Sequence, residues 1–371
     1  MTLSPTLYAT LTRYQQRISD ALKASFERIA ADPATVQSAN DLAPYYGQMR
    51  YHLGWVDASF TPTSSNPGKL LRPTLLLLAY EAAGAWGLSN EQDYLERALP
   101  AAASVELTHN FTLIHDDIVD GDKERRHRRT LWSIWGASHG INSGDGMFAL
   151  SRLALWDVLE KGVEGEIAAR LGRVLDRSCL TLAEGQYLDM SFEDQTEVST
   201  AMYIDMIQRK TAALMACAAE MGAMLGTRDQ ATIESLRTFG EAIGLAFQVR
   251  DDLLGVWATT AELGKTEAGD IYRRKKSLPI LHALEQASAE DRATLQQIYQ
   301  QQEPLSTEQV RTVLECMERT GTQAYCRTFL SQYCQRAYKA LAQVPRQNNP
   351  VAQRALDDME VMVRFVEEAA H

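Results

Sequence analysis

The sequence is poor in cysteine. None of its five thiols (Cys179, Cys217, Cys316, Cys326, Cys334) belongs to a CxxC pair, so neither a zinc site nor a disulfide framework is expected. They read instead as buried thiols in a reducing cytoplasm. Long apolar runs are also missing: the most apolar stretch, residues 70–88, is broken by Arg72 and Glu81 and is no membrane span. Residues 1–31 lack the apolar core of a signal peptide, and Asp20 and Glu27 argue against a transit peptide. A soluble, cytoplasmic protein without integral membrane association is therefore expected. Positive charge is in deficit, with 37 Lys and Arg against 48 Asp and Glu and a net charge of -11, which disfavours general binding to nucleic acid or anionic membranes. No alternating β pattern, βαβ rhythm or fixed-period repeat is found.

What is present is helical periodicity over an ordinary globular composition, 45% apolar and 23% charged in 371 residues. Leu7, Leu11, Tyr14, Ile18, Leu22, Phe26 and Ile29 recur at spacings of three and four, one apolar stripe on a long helix. Pro73 suits a first helical turn and opens a Leu-rich helix to about residue 85. Further helices are expected over 91–115, 145–159, 164–191, 201–225, 231–257, 279–287, 308–342 and 351–370, with a capping box at Ser306–Gln309 and Leu356, Met359, Val363 and Val366 on one side of the last. Residues 61–67, 121–130, 192–200 and 259–276 read as loops. The expected architecture is all-α: one large bundle over residues 1–371 around a central cavity.

Two aspartate clusters carry the chemistry. In the first, an apolar helix runs into Asp116, Asp117 and Asp120. Positions four apart share a helical face, so Asp116 and Asp120 point the same way and Asp117 flanks them. In the second, Asp251 and Asp252 end another apolar helix. Like charges this close resist ionising together unless a cation lies between them, and oxygen-only donors favour a hard ion such as Mg2+. A single Asp-Asp pair reads as a solvated helix end; two with apolar approaches read as a metal site. Basic residues gather nearby: Lys123, Arg125, Arg126, Arg128 and Arg129 after the first cluster, Lys265, Arg273, Arg274, Lys275 and Lys276 after the second, and Lys69 and Arg72 at a loop-to-helix junction. Cations concentrated in an otherwise acidic protein suit a diphosphate better than a polyanion.

The motifs GKLLRP, LTHNFTLIHDDIVD, ERRHRRTLW, INSGD, EGQYLDM, QRKTAAL, FQVRDDLLG and GKTEAGDIYRRKKSLP, in that order, resemble the trans-isoprenyl diphosphate synthases (polyprenyl synthetases), most of all the bacterial geranylgeranyl diphosphate synthases. The motifs occupy residues 68–284; the N-terminal residues 1–60 and the C-terminal helices of 285–371 match only as helices packed on that core. The resemblance implies head-to-tail condensation of isopentenyl diphosphate with an allylic diphosphate bound through Mg2+, with Asp116 and Asp120 opposite Asp251 and with Asp117 and Asp252 in support. It implies that Arg125, Lys210 and Lys265 hold the allylic diphosphate and that Lys69, Arg72, His109 and Arg126 hold that of isopentenyl diphosphate. Thr211 and Gln248 would face the allylic cation, and Lys275 would cap the closed site. Phe111, about 7 to 8 Å deeper than Asp116 along the helix, would form the floor beside the small Thr112, which in this family goes with a C20 product. A homodimer is also implied, with the region of Phe148, Leu150, Leu153, Leu155 and Trp156 as an apolar face. Three departures from the family pattern are Gly255 in place of a third aspartate, Ala268 in place of a glycine, and Pro67 in place of a glycine before Lys69. The alternatives are a class I terpene cyclase or head-to-head condensing enzyme on the same scaffold, and a non-catalytic subunit of a hetero-oligomeric synthase. The complete set Lys69, Arg72, His109 and Arg126 speaks against a cyclase, and the retained aspartates against an inert subunit.

Overall fold

The computed structural model describes residues 5–30, 39–63, 68–85, 94–195, 197–258 and 268–370. The elements in chain order are α1 (Pro5–Ala30), α2 (Ala39–His52), α3 (Leu71–Ala82), α4 (Leu99–Val119), a hairpin of β1 (Glu124–Arg125) and β2 (Arg128–Arg129), α5 (Leu131–Trp135), α6 (Ala137–Trp156) and α7 (Gly165–Asp194). They continue with α8 (Thr200–Ile207), a π-helical segment (Gln208–Ala212), α9 (Ala213–Gly226), α10 (Gln230–Trp257), α11 (Gly269–Tyr272), α12 (Leu278–Gln286), α13 (Ala289–Gln300), α14 (Thr307–Arg319), α15 (Thr322–Ala342) and α16 (Pro350–Glu367). The fold is all-α, as expected, and its only strands among the described residues are the two short ones of the hairpin.

The stripe on α1 becomes its buried face: Leu7, Leu11, Tyr14, Ile18, Leu22 and Phe26 are each at most 5% exposed. The Ile29 side chain lies outside the described residues. Burial of each of these large side chains contributes roughly 1.5–3 kcal/mol. At the centre, Leu75 to Leu78 of α3 and most of α9 are buried on every side, as befits helices with neighbours all round. These two helices approach closely because Gly222 has no side chain: a Cβ there would stand 2.1 Å from the Leu76 carbonyl oxygen.

A polar knot ties both chain ends to this centre. Glu81 of α3, fully buried, accepts from Tyr14 (2.8 Å) on α1, from Tyr94 (2.6 Å) and from Arg354 (3.2 Å) on α16. Nearby, Asp358 accepts from Thr10 and Arg13. Removing the Glu81 carboxylate strands three donors. Glu81→Ala is therefore expected to cost about 3 kcal/mol or more, read as a lowered midpoint in urea unfolding, whereas Glu96→Ala, at a half-exposed carboxylate shared by Arg17 and Lys161, should cost only about 1 kcal/mol.

Several boundaries differ from the sequence reading. The helix α2 is not announced by the sequence; Pro44 inside it obscures the pattern. The stretch 308–342 divides at Gly321, whose φ of 64° ends one helix and starts the next. The expected capping box is formed by Ser306 and Gln309. The stretch 201–225 is broken by the π-helical turn, and the expected loop 121–130 holds the hairpin. Within the expected apolar face, Leu150 (3% exposed) and Leu155 (1%) belong to the core, while Phe148, Leu153 and Trp156 are exposed together with Ile141 of α6 and Leu180, Tyr187 and Met190 of α7. Cys217, Cys316, Cys326 and Cys334 are buried and Cys179 is half-buried. Among the described residues, no helix is long and apolar enough to cross a membrane.

Candidate active site

The first aspartate cluster closes α4. Asp120 caps that helix and its N–H donates to the Asp116 carbonyl (2.8 Å). Burial pushes the Asp116 carboxyl up to about 6, and the Asp120 charge adds to the rise while Lys210 opposes it. Asp120 is likewise raised, chiefly by burial and again against Lys210. Asp116 and Asp120 thus look across to α7 and the π-helical turn, as their spacing predicts. Asp117 turns the other way: it is 1% exposed, accepts from Arg125 Nε (2.6 Å), and keeps its Oδ2 without a hydrogen-bond partner.

The second cluster divides similarly. Asp251 is exposed at the mouth of the site, where crowding by protein still raises its pKa and where it feels Lys69 and Lys275. Asp252 is fully buried and committed to protein donors: Tyr203 Oη (2.6 Å), Gln248 Nε2 (3.2 Å), Lys275 Nζ (3.4 Å) and the Leu278 N–H (3.4 Å). It acts as the internal anchor of α10. Gln248 is thereby oriented, and its Oε1 accepts from Thr211 (3.1 Å). Burial alone would lower Lys275, but Asp252 and Asp270 outweigh it and hold its pKa above the ordinary value.

The π-helical turn Gln208–Ala212 is the part of the site the sequence concealed. An extra residue in one helical turn re-aims the side chains that follow. Here it delivers Lys210 onto Asp189 of α7 and Thr211 onto Gln248 of α10. Helix α7 can approach because its contact point is Gly185, where a Cβ would stand 2.4 Å from the Lys210 nitrogen.

On the other side of α4, a second cationic group forms. The half-buried Arg72 has Nη1 3.1 Å from His109 Nε2, and burial together with Arg72 and Arg126 holds the imidazole neutral, well below its ordinary pKa. Lys69, Arg72 and Arg126 are each lowered by burial, Lys69 against Asp251 and the two arginines against Glu106. Gly68 rests directly on the Arg126 guanidinium, 2.7 Å from a would-be Cβ. His52 of α2, hydrogen-bonded to Asn110, backs this group; burial and then the arginines push its pKa down to about 3.

Strain gathers in the same place. Leu70, Arg126, His127, Ala268 and Arg274 all have φ between 48° and 60°. A two-residue hairpin turn with both φ values positive ordinarily takes Asn-Gly, so Arg126-His127 is held there by its surroundings. Ala268 adopts the left-handed conformation that its usual glycine would take freely. Gly255 also finds an account: the Asp270 carboxylate occupies the space of its missing side chain, with Oδ2 2.3 Å from a would-be Cβ. Asp270, buried and 3.7 Å from Lys275, is a site residue that sequence reasoning passes over, as are Glu106, Tyr203 and His52.

Lys265 and Pro67 lie outside the described residues. Phe111 is half-buried and meets the Phe148 ring of α6 edge-on at 5.1 Å, while Thr112 beside it is 6% exposed. Among the described residues no three carboxylate, imidazole or thiol groups converge into a preformed metal cage. The oxygen donors are instead spread over α4, α7 and α10. That suits Mg2+, which keeps part of its shell for water and substrate phosphates. Because the folded state holds the Asp116 proton to about pH 6 and an unfolded carboxylate releases it near 4, folded stability is lost as pH rises through that window. Without added metal, the melting temperature should fall from pH 4 to 6, and Mg2+ should raise it more at pH 7 than at pH 5.

Residues 54–317 match the polyprenyl synthetase family. The chain belongs to that family. It is 41% identical over 249 residues to (2E,6E)-farnesyl diphosphate synthase of Mycobacterium tuberculosis, an alignment spanning 67% of this chain and 66% of the relative. It is 36% identical over 337 residues to geranylgeranyl diphosphate synthase of the same species, covering 90% of this chain and 93% of the relative. Among solved structures, a polyprenyl synthetase from Streptomyces coelicolor superposes with a TM-score of 0.82 at 34% identity, covering 96% of this chain and 98% of that one. The two mycobacterial relatives are thus named for different products, farnesyl and geranylgeranyl diphosphate, and the Streptomyces protein only as a polyprenyl synthetase.

Proposed function

We propose that this chain is a prenyltransferase, a trans-prenyl diphosphate synthase that adds isopentenyl diphosphate head-to-tail to allylic diphosphates and stops at geranylgeranyl diphosphate, C20. The carrying observation is a pair of cationic groups: Lys210 facing Asp116 and Asp120, and Arg72, Arg126 and Arg125 around the neutral His109, with Lys69 near Asp251. Two anionic substrates need two such pockets. A terpene cyclase needs only the first.

Asp116, Asp120 and Asp251 would hold Mg2+, which when bound neutralises the departing diphosphate. Arg125, Lys210 and Lys265 bind the allylic diphosphate and share its charge as the C–O bond breaks. Thr211 and Gln248, coupled by their hydrogen bond, present oxygens to the allylic cation. Lys69, Arg72, His109 and Arg126 fix the isopentenyl diphosphate so that its double bond faces the allylic C1. The new C–C bond forms there, and the proton lost from the isopentenyl unit passes to the released diphosphate. Lys275, tied to Asp252 and Asp270, closes the mouth against water that would quench the cation. Phe111, backed by Phe148, ends the pocket.

The reading includes one folding unit over the whole chain and a homodimer through the exposed face of Ile141, Phe148, Leu153, Trp156, Leu180 and Tyr187. A dimer mass in sedimentation is expected, and Leu153→Glu should shift it to the monomer at micromolar concentration. The functional test supplies C10, C15 or C20 allylic diphosphate with Mg2+, with and without isopentenyl diphosphate. C10 and C15 should be consumed rapidly only when isopentenyl diphosphate is present. Hydrocarbon released from C15 or C20 alone would instead establish a cyclase.

A further inference from the structure

Gln186 of α7 is anomalous: both its Nε2 and Oε1 are buried and neither has a hydrogen-bond partner. A buried amide left unpaired costs on the order of 1–3 kcal/mol, and such groups are few in folded proteins. Its position says what it faces. Asp189, three residues on and on the same side of the helix, pairs with Lys210 and raises the pKa of both Asp116 and Asp120. Cys179, seven residues back on Gln186's side, lies against Arg152 of α6. At one end of this face Asp189 acts on Asp116 and Asp120 of α4, and at the other Cys179 meets Arg152 of α6. Tyr187 and Leu180, turned away from this face, are exposed. Gln186 therefore sits three residues, about 4.5 Å along the helix axis, before Asp189.

The placement parallels Gln248. That residue precedes Asp251 by three on α10, just as Gln186 precedes Asp189 by three on α7. Each amide thus lies three residues N-terminal to a carboxylate of the site. The Gln248 Oε1 is already taken by Thr211, whereas the Gln186 Oε1 is uncommitted.

We propose that Gln186 is a further catalytic residue, whose side-chain oxygen faces the allylic carbons and stabilises the cation as the diphosphate leaves. This rests on the synthase reading above. An uncharged acceptor suits that role because it offers negative potential to a developing cation and has no proton to give up at neutral pH. The unpaired amide of the free protein is then a stability cost that the reacting substrate relieves.

The test uses the full chain with Gln186→Leu, close in size and without polar atoms, and Gln186→Glu, which keeps an oxygen acceptor. Wild-type elongation of geranyl diphosphate tests the synthase reading; the ratio of variant to wild type tests Gln186. The Gln186→Leu protein should melt at the same temperature as wild type or higher. Its turnover, and its slow diphosphate release from geranyl diphosphate without isopentenyl diphosphate, should fall about 10-fold or more. Its KM for isopentenyl diphosphate should be unchanged, and Gln186→Glu should retain more of both rates. A lower melting temperature for Gln186→Leu would make the amide a structural contact and overturn the proposal. So would turnover within about twofold of wild type, or equal losses in both variants.

Discussion

Replacing Asp116 by alanine is expected to lower turnover about 10³-fold while leaving the helical fold intact. Asp116 is the carboxylate whose pKa the surroundings displace to about 6, because burial and Asp120 oppose its charge while Lys210 answers only part of it. That imbalance is a standing cost, tolerable when a divalent cation and a diphosphate complete the charge count. Without metal, Asp116→Ala should therefore melt no lower than wild type, and addition of Mg2+ should no longer raise its melting temperature as it does for wild type. A variant that lost activity by unfolding would show the reverse. Asp117→Ala should behave differently, since Asp117 is bonded to Arg125 and turned from the cavity: a fall in stability should accompany its loss of rate.

Replacing Phe111 by alanine is expected to shift the main product from C20 to C25 and longer, with the rate of the first condensation little changed. The ring stands about 7 to 8 Å below Asp116 along α4, clear of the ionising bond, and its outer edge is braced by Phe148. Truncation removes the end wall and leaves the carboxylates and both cationic groups in place. Because Phe111 is half-buried, the stability cost should stay below the roughly 3–5 kcal/mol of a fully packed Phe→Ala change. Thr112→Phe should act in the opposite sense, a ring at that position shortening the product to C15. Mass analysis of the dephosphorylated alcohols reads both outcomes; an unchanged C20 product from Phe111→Ala would place the floor on another wall.

Much of this site was legible because its chemistry is contiguous in sequence. Asp116 and Asp120 share a face through the helical repeat alone, and the stripe on α1 was readable because one face of that helix is apolar over six turns. What escaped depends on backbone geometry or on tertiary neighbours. No residue type announces the π-helical turn that turns Lys210 to Asp189 and Thr211 to Gln248. Nothing local shows that Arg126 and His127 are forced into left-handed conformations, or that Asp270 folds back into the space left by Gly255. Asp252 resembles its neighbour Asp251 as a metal donor, yet lies fully buried among four protein donors, a distinction set by Tyr203 and Lys275 from distant segments. The same holds for the apolar face of α6: hydrophobicity ranks Leu150 with Leu153, and only packing against α4 puts the first inside and leaves the second exposed.

The most direct measurement supplies the purified protein with farnesyl diphosphate, isotopically labelled isopentenyl diphosphate and Mg2+, and sizes the dephosphorylated product. The account predicts a linear, all-trans C20 alcohol carrying one labelled five-carbon unit, formed only when metal and both substrates are present. An unlabelled cyclic hydrocarbon, or no consumption of labelled isopentenyl diphosphate from any allylic partner, would contradict it.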